Sequence, residues 1–219
     1  MLMTSTRIKI CGVQDARIAE VAADAGADAI GLVFVDGSPR QVTTEQARQI
    51  VATLPPYVEP IGLFADAAID VMRDTATRVG LTSLQLHGRE TPQLAAQLAP
   101  LRVIKAVLMN DDVSDRFAAW CDASENVSGV LFDAPRTSIG ALGGGSGRTI
   151  DWHAVAKLCD RSPTPPIVLA GGLTPVNVAR AIGLVRPYAV DVSSGVESSR
   201  GVKDPGLIRA FCQAVRGAG

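Results

Sequence analysis

The groups in this sequence best suited to moving protons stand at the ends of apolar runs. Cys11 stands next to last in RIKICG (7–12), and Asp133 next to last in GVLFDA (129–134). A thiol ionises at about pH 8.5 and then serves as a base, while a carboxyl kept protonated by a dry or anionic setting serves as an acid. His87 in QLHG, Asp191 in AVDV and Lys9, two residues before Cys11, are the supporting ionisable groups. Arg40, in DGSPRQ, carries a guanidinium that can clasp a carboxylate through two parallel hydrogen bonds. In AGG (170–172) and SSG (193–195), the residues Gly171, Gly172, Ser193, Ser194 and Gly195 are small enough for main-chain N–H groups to approach an anion. A proton acceptor and a proton donor beside a phosphate site suit an isomerase of a phosphorylated substrate.

Other chemistries fit less well. His87 and His153 are the only histidines, too few for the ligand set of a metal-dependent sugar-phosphate epimerase. Lys9 or Lys105 forming a Schiff base would make an aldolase, which borohydride trapping would reveal. A barrel that binds phospholigands without turning them over is a further alternative, and the presence of both Cys11 and Asp133 argues against it. Cys121, Cys159 and Cys212 read as small buried hydrophobes. GGGSGRT lacks the nucleotide loop's glycine at Leu142 and its lysine at Arg148, so it reads as a glycine-rich lid over a pocket.

The elements that must position these groups follow from the pattern of the whole chain. With 219 residues, 47% of them hydrophobic, one domain spanning 1–219 is expected. The 21 basic and 22 acidic residues are dispersed, which argues against a nucleic-acid or membrane-surface partner. No obligate protein partner is evident. Scattered cysteines, a short polar leader and no apolar run of about 20 residues point to a cytoplasmic protein.

Eight apolar runs of strand length occur, at 7–12, 29–35, 60–65, 83–88, 102–109, 129–134, 166–172 and 189–195. Between them lie segments of helical periodicity such as DARIAEVAADAGA, TTEQARQIVATL and AIDVMRDTATRVG, several opening on Asp or Thr caps. Strict alternation of this kind predicts a closed (β/α)8 barrel. An open doubly wound sheet would show GxGxxG after its first strand, and CGVQDA does not.

Active sites of such barrels lie at the C-terminal strand ends, and phosphate sites often follow strands seven and eight. Alternation sends Ile8 and Ile10 toward the helices and Arg7, Lys9 and Cys11 the other way. Asp133 and Asp191 likewise point into the mouth. Lys9 lies one layer deeper and needs an inward acid as partner. Strands one and six are three steps apart, so Cys11 and Asp133 face each other across a ligand.

KICG (9–12), SPRQV (38–42), QLHG (85–88), GVLFDA (129–134), GGSGRTIDW (144–152), AGGLTPVNV (170–178) and VDVSSGVESSRGVKD (190–204) together resemble the phosphoribosylanthranilate isomerases of tryptophan biosynthesis. The resemblance implies an Amadori rearrangement of N-(5-phosphoribosyl)anthranilate to 1-(2-carboxyphenylamino)-1-deoxyribulose 5-phosphate, with no cofactor. It implies Cys11 as general base, Asp133 as general acid and Arg40 as partner of the anthranilate carboxylate. Ring opening requires a proton on the ribose oxygen, and the Schiff base so formed acidifies the C2 proton for a thiolate to remove. Cys11 then needs positive charge nearby, from Lys9 or the phosphate-site helix end. Phe132, Ala134 and Arg89 depart from the family's usual residues.

Overall fold

The computed structural model describes residues 5–110, 112–123, 125–135, 149–159 and 165–218. The proposed glycine-rich lid falls mostly outside the described residues. Eight parallel strands close into a barrel in sequence order: β1 (Arg7–Cys11), β2 (Ala29–Val33), β3 (Glu59–Phe64), β4 (Ser83–Leu86), β5 (Arg102–Leu108), β6 (Val127–Asp133), β7 (Ile167–Leu169) and β8 (Ala189–Val192). Closure pairs β1 with β8, setting Lys9 opposite Asp191. The helices between and after them are α1 (Ala16–Asp24), α2 (Thr44–Val51), α3 (Ile69–Val79), α4 (Pro92–Gln97), α5 (Val113–Cys121), α6 (Trp152–Cys159), α7 (Val178–Val185) and α8 (Pro205–Arg216). A short 3-10 turn (Ser194–Val196) and an antiparallel hairpin, β9 (Glu197–Ser199) and β10 (Val202–Lys203), come between β8 and α8.

The caps read from the sequence close real helices. The side chains of Asp15, Thr91 and Asp204 accept the N–H three residues on, and Thr43 with Gln46 forms a reciprocal capping box. Each such cap contributes roughly 1 kcal/mol by satisfying donors that the helix itself leaves unpaired.

Strand alternation produces two cores. Ile8, Ile10, Val130 and Phe132 face the helix ring, where Phe132 packs against Phe117 of α5 with ring centroids 5.2 Å apart. Ala106, Leu131, Val168, Ala170 and Ala189 fill the barrel's interior. Above that plug, toward the C-terminal strand ends, Cys11, Val33, Val35 and Leu63 form a small apolar wall. At the opposite mouth, Arg7 and Arg216 pair with Asp28, and Arg102 with Glu59. No helix among the described residues is long and apolar enough to cross a membrane.

Candidate active site

A cavity of about 80 Å³, partly open to solvent, occupies the C-terminal mouth of the barrel. Cys11, Arg40, His87, Asp133, Gly171, Gly172, Asp191, Ser193, Ser194 and Gly195 all line it. Of the residues expected from the sequence, only Lys9 lies off its wall, one layer below and 4% exposed.

On the β1 side, Lys9 Nζ donates to Asp191 Oδ1 at 2.8 Å, and both side chains are buried. Gly31 of β2 makes the layer possible, because a Cβ there would stand 2.7 Å from Cys11 Sγ and 3.0 Å from Lys9 Nζ. Burial alone would lower the Lys9 ammonium, but Asp191 and Cys11 together hold it above its ordinary value. The thiol departs from expectation. Burial pushes the Cys11 pKa up, and the nearby charges of Lys9 and Lys203 pull it down by less. The cations expected to produce a low-pKa thiol therefore only moderate a raised one.

Across the mouth, Asp133 ends β6 and takes the Ala134 N–H on Oδ1 at 2.8 Å. His87 Nε2 faces its Oδ2 at 3.3 Å, and the Gln85 amide lies 3.1 Å from His87 Nδ1. Held between Gln85 and Asp133, the imidazole is fixed in orientation at the mouth. The sequence reading made His87 a supporting ionisable group, and the structure sets it against the candidate acid. Its loop is held from beneath by Glu90, which accepts from Gly88 N, Asp66 N and Lys105 Nζ, the last at 2.7 Å.

Arg40 is buried, and its guanidinium pairs side-on with Glu197: Nε to Oε1 at 2.7 Å and Nη2 to Oε2 at 2.8 Å. Lys203 Nζ donates to the same Glu197 Oε1 at 2.7 Å and to the Ser193 carbonyl and hydroxyl at 2.9 and 3.2 Å. Burial would raise the Glu197 carboxyl, but Arg40, Lys203 and the Gly201 N–H hold it down to about 2. Lys9, Arg40 and Lys203 set against Asp191 and Glu197 leave this buried group with one excess positive charge. Such a field favours anionic ligands.

The β7 and β8 ends form the remaining wall. Gly171 and Gly172 both adopt left-handed backbone, φ +78° and +70°. A Cβ on Gly171 would stand 2.8 Å from Ala134 N, and one on Gly195 only 1.8 Å from the Leu173 carbonyl oxygen. The absence of a side chain at these two positions lets the strand ends pack directly against Ala134 and Leu173.

The aldolase alternative loses its nucleophiles in this geometry. Lys105 points away from the barrel axis, 1% exposed, bonded to Leu86 O, Gly88 O and Glu90, and neither it nor Lys9 lines the cavity. Two departures from the family pattern also lie off the wall: Phe132 is in the outer core and Arg89 pairs with Asp66 at the surface. Sequence reasoning missed Gln85, Glu197 and Lys203. The last two stood in the quoted VESSRGVKD, where a buried acid between two cations has no periodic signature.

A family model described as N-(5'phosphoribosyl)anthranilate (PRA) isomerase matches residues 8–214. The N-(5'-phosphoribosyl)anthranilate isomerase of Pseudomonas fluorescens (strain Pf0-1) is 47% identical over 216 residues, covering 98% of this chain and all of that protein. Among solved structures, the phosphoribosyl anthranilate isomerase of Thermotoga maritima superposes with a TM-score of 0.87 at 38% identity, covering 97% of this chain and 99% of that one. A phosphoribosyl anthranilate isomerase in complex with reduced 1-(o-carboxyphenylamino)-1-deoxyribulose 5-phosphate gives 0.84 at 36%, with the same coverage.

Proposed function

The chain belongs to the N-(5'-phosphoribosyl)anthranilate isomerase family, and from that premise we propose how its own residues carry the reaction. The protein is an isomerase of tryptophan biosynthesis acting on N-(5'-phosphoribosyl)anthranilate. One observation carries the assignment of roles: Cys11 and Asp133, from strands three steps apart, line one cavity between Arg40 and the glycine wall.

In this reading the substrate phosphate lies along Gly171, Gly172, Ser193, Ser194 and Gly195, and the anthranilate carboxylate meets Arg40. Asp133, oriented by His87, gives its proton to the ribose ring oxygen as the C1–O bond breaks and the nitrogen lone pair forms a C1=N iminium. Cys11 as thiolate takes the C2 proton. The C2–H electron pair becomes the C1=C2 bond, and the C=N pair returns to nitrogen, giving an enolamine. C1 then gains a proton and the enol hydroxyl loses one, which yields the ketose and conserves the proton count. A thiol with raised pKa is a stronger base when ionised, though less of it is ionised at neutral pH.

The buried thiols of Cys11 and Cys212 stand outside any disulfide, which fits a reducing cytosol. The substrate is a small molecule, and the role assignment calls on no protein partner and no cofactor. The test is turnover of N-(5'-phosphoribosyl)anthranilate by the purified chain, with the product identified by mass and chromatography. Binding without turnover would leave only the non-catalytic alternative.

A further inference from the structure

The hairpin that follows β8 has no part in the proton transfers, yet its first and last residues bury their charges behind Arg40 and Ser193, which line the cavity. Glu197 opens β9 and Lys203 closes β10, and their side chains are 3% and 2% exposed. The hairpin is seated on the Arg40 loop by close backbone approach. A Cβ on Gly201, φ +86°, would stand 2.8 Å from the Pro39 carbonyl oxygen, and one on Gly12, φ +77°, 2.5 Å from Arg40 Cδ. Both glycines hold a left-handed conformation that other residues adopt at a cost. Gln14 Nε2 adds a hydrogen bond to the Pro39 carbonyl, and Gly201 N donates to Glu197 Oε2.

Arginine alone can turn freely about four side-chain bonds. Here the Nε and Nη2 edge is fixed by two charge-assisted bonds to one carboxylate, and because a guanidinium is planar, fixing one edge fixes the direction of the whole group. That carboxylate is in turn held by Lys203, which reaches on to the Ser193 carbonyl and hydroxyl on the phosphate side of the cavity.

We propose that Glu197 is a positioning residue for substrate specificity: it sets the Arg40 guanidinium to read the aromatic carboxylate and, through Lys203 and Ser193, fixes that reader relative to the phosphate wall. The inference rests on the reading of Arg40 given above. It predicts that loss of Glu197's two-point grip costs the carboxylated substrate more than an analogue that lacks the carboxylate.

The experiment compares kcat/KM for the natural substrate with that for N-(5-phosphoribosyl)aniline, which lacks the carboxylate. Wild type, Arg40→Ala, Glu197→Asp, Glu197→Gln and the double variant Arg40→Ala with Glu197→Asp are assayed. Glu197→Asp keeps the charge, so it is the variant expected to fold if Glu197→Gln does not. Glu197→Asp should lower the preference for the carboxylated substrate by roughly 10- to 100-fold, as misplaced positioning groups do, mainly through KM. Turnover of the aniline compound should fall by clearly less than that of the natural substrate, and in the Arg40→Ala background the same change should alter the preference no further. Equal losses on both substrates, or a preference unchanged in Glu197→Asp, would overturn the proposal. An unchanged preference in Arg40→Ala would instead remove Arg40 as the carboxylate reader, with Glu197's role falling alongside it and isomerase activity untouched.

Discussion

Replacing Glu197 with Gln should abolish one identifiable part of the protein's acid sensitivity. The carboxylate is held down to about 2 from an ordinary 4.5 because Arg40, Lys203 and the Gly201 N–H outweigh the effect of burial. A carboxyl whose folded pKa is depressed adds stability above its unfolded pKa and loses it as pH falls through the folded one. The window is therefore pH 4.5 down to 2. At about 1.4 kcal/mol per pH unit, that separation is worth roughly 3 kcal/mol, of which about 2 is gone by pH 3. The side chain is 3% exposed, so solvent screening removes little of it. Near neutrality Glu197→Gln should be the less stable protein, because Arg40 and Lys203 lose their shared anion at a cost of about 3 to 5 kcal/mol. As the pH falls, the wild type should lose stability faster and the gap should close. Urea unfolding of both proteins at a series of pH values measures this directly, since the other carboxylates titrate in both. A gap that stays constant from pH 6 to pH 3 would refute the argument that Glu197 is the depressed group.

Three further outcomes follow from the same geometry. Lys9→Met removes a charge that pulls the Cys11 thiol down, so the pH dependence of Cys11 alkylation should move upward; an unmoved profile would separate Lys9 from the thiol. Gly195→Ala places a Cβ where the Leu173 carbonyl oxygen lies 1.8 Å away, so the KM and the inhibition constant of inorganic phosphate should rise together, and an unchanged phosphate constant would put the anion elsewhere. Burial pushes the Cys212 thiol up to about 11 from 9.0, with Arg216 opposing. The folded state then keeps a proton that the unfolded state releases, and roughly 2 to 3 kcal/mol should be lost as pH rises across that window, a slope that Cys212→Ala should lack.

Much of this arrangement was legible in the chain because it rests on periodicity. Alternation in RIKIC separates Ile8 and Ile10 from Lys9 and Cys11, and the barrel keeps that separation, with Asp191 supplying the acid that buried Lys9 required. The strand ends were legible for the same reason, and the eight-run pattern predicted the ring that brings them together. What depends on contacts between distant loops was not. Arg40 and Glu197 are 157 residues apart, and no local spacing announces that one clasps the other. The balance between burial and charge at Cys11 depends on how deeply Gly31 lets the thiol sink, which only packing reveals. His87 meets Asp133 because β4 and β6 converge at the mouth, although QLHG by itself reads equally well as a strand end with a main-chain partner.

The central claim is that Cys11 removes the C2 proton and Asp133 opens the ring. A pre-opened imine analogue with an exchangeable C2 hydrogen, incubated in deuterated water, separates the two steps. Asp133→Asn should still exchange that hydrogen at near the wild-type rate, while failing on the closed-ring substrate by roughly 10² to 10⁴ or more. Cys11→Ala should bind the analogue and exchange nothing above background. The reverse pattern would interchange the two roles, and normal turnover in both variants would remove this pair from the mechanism.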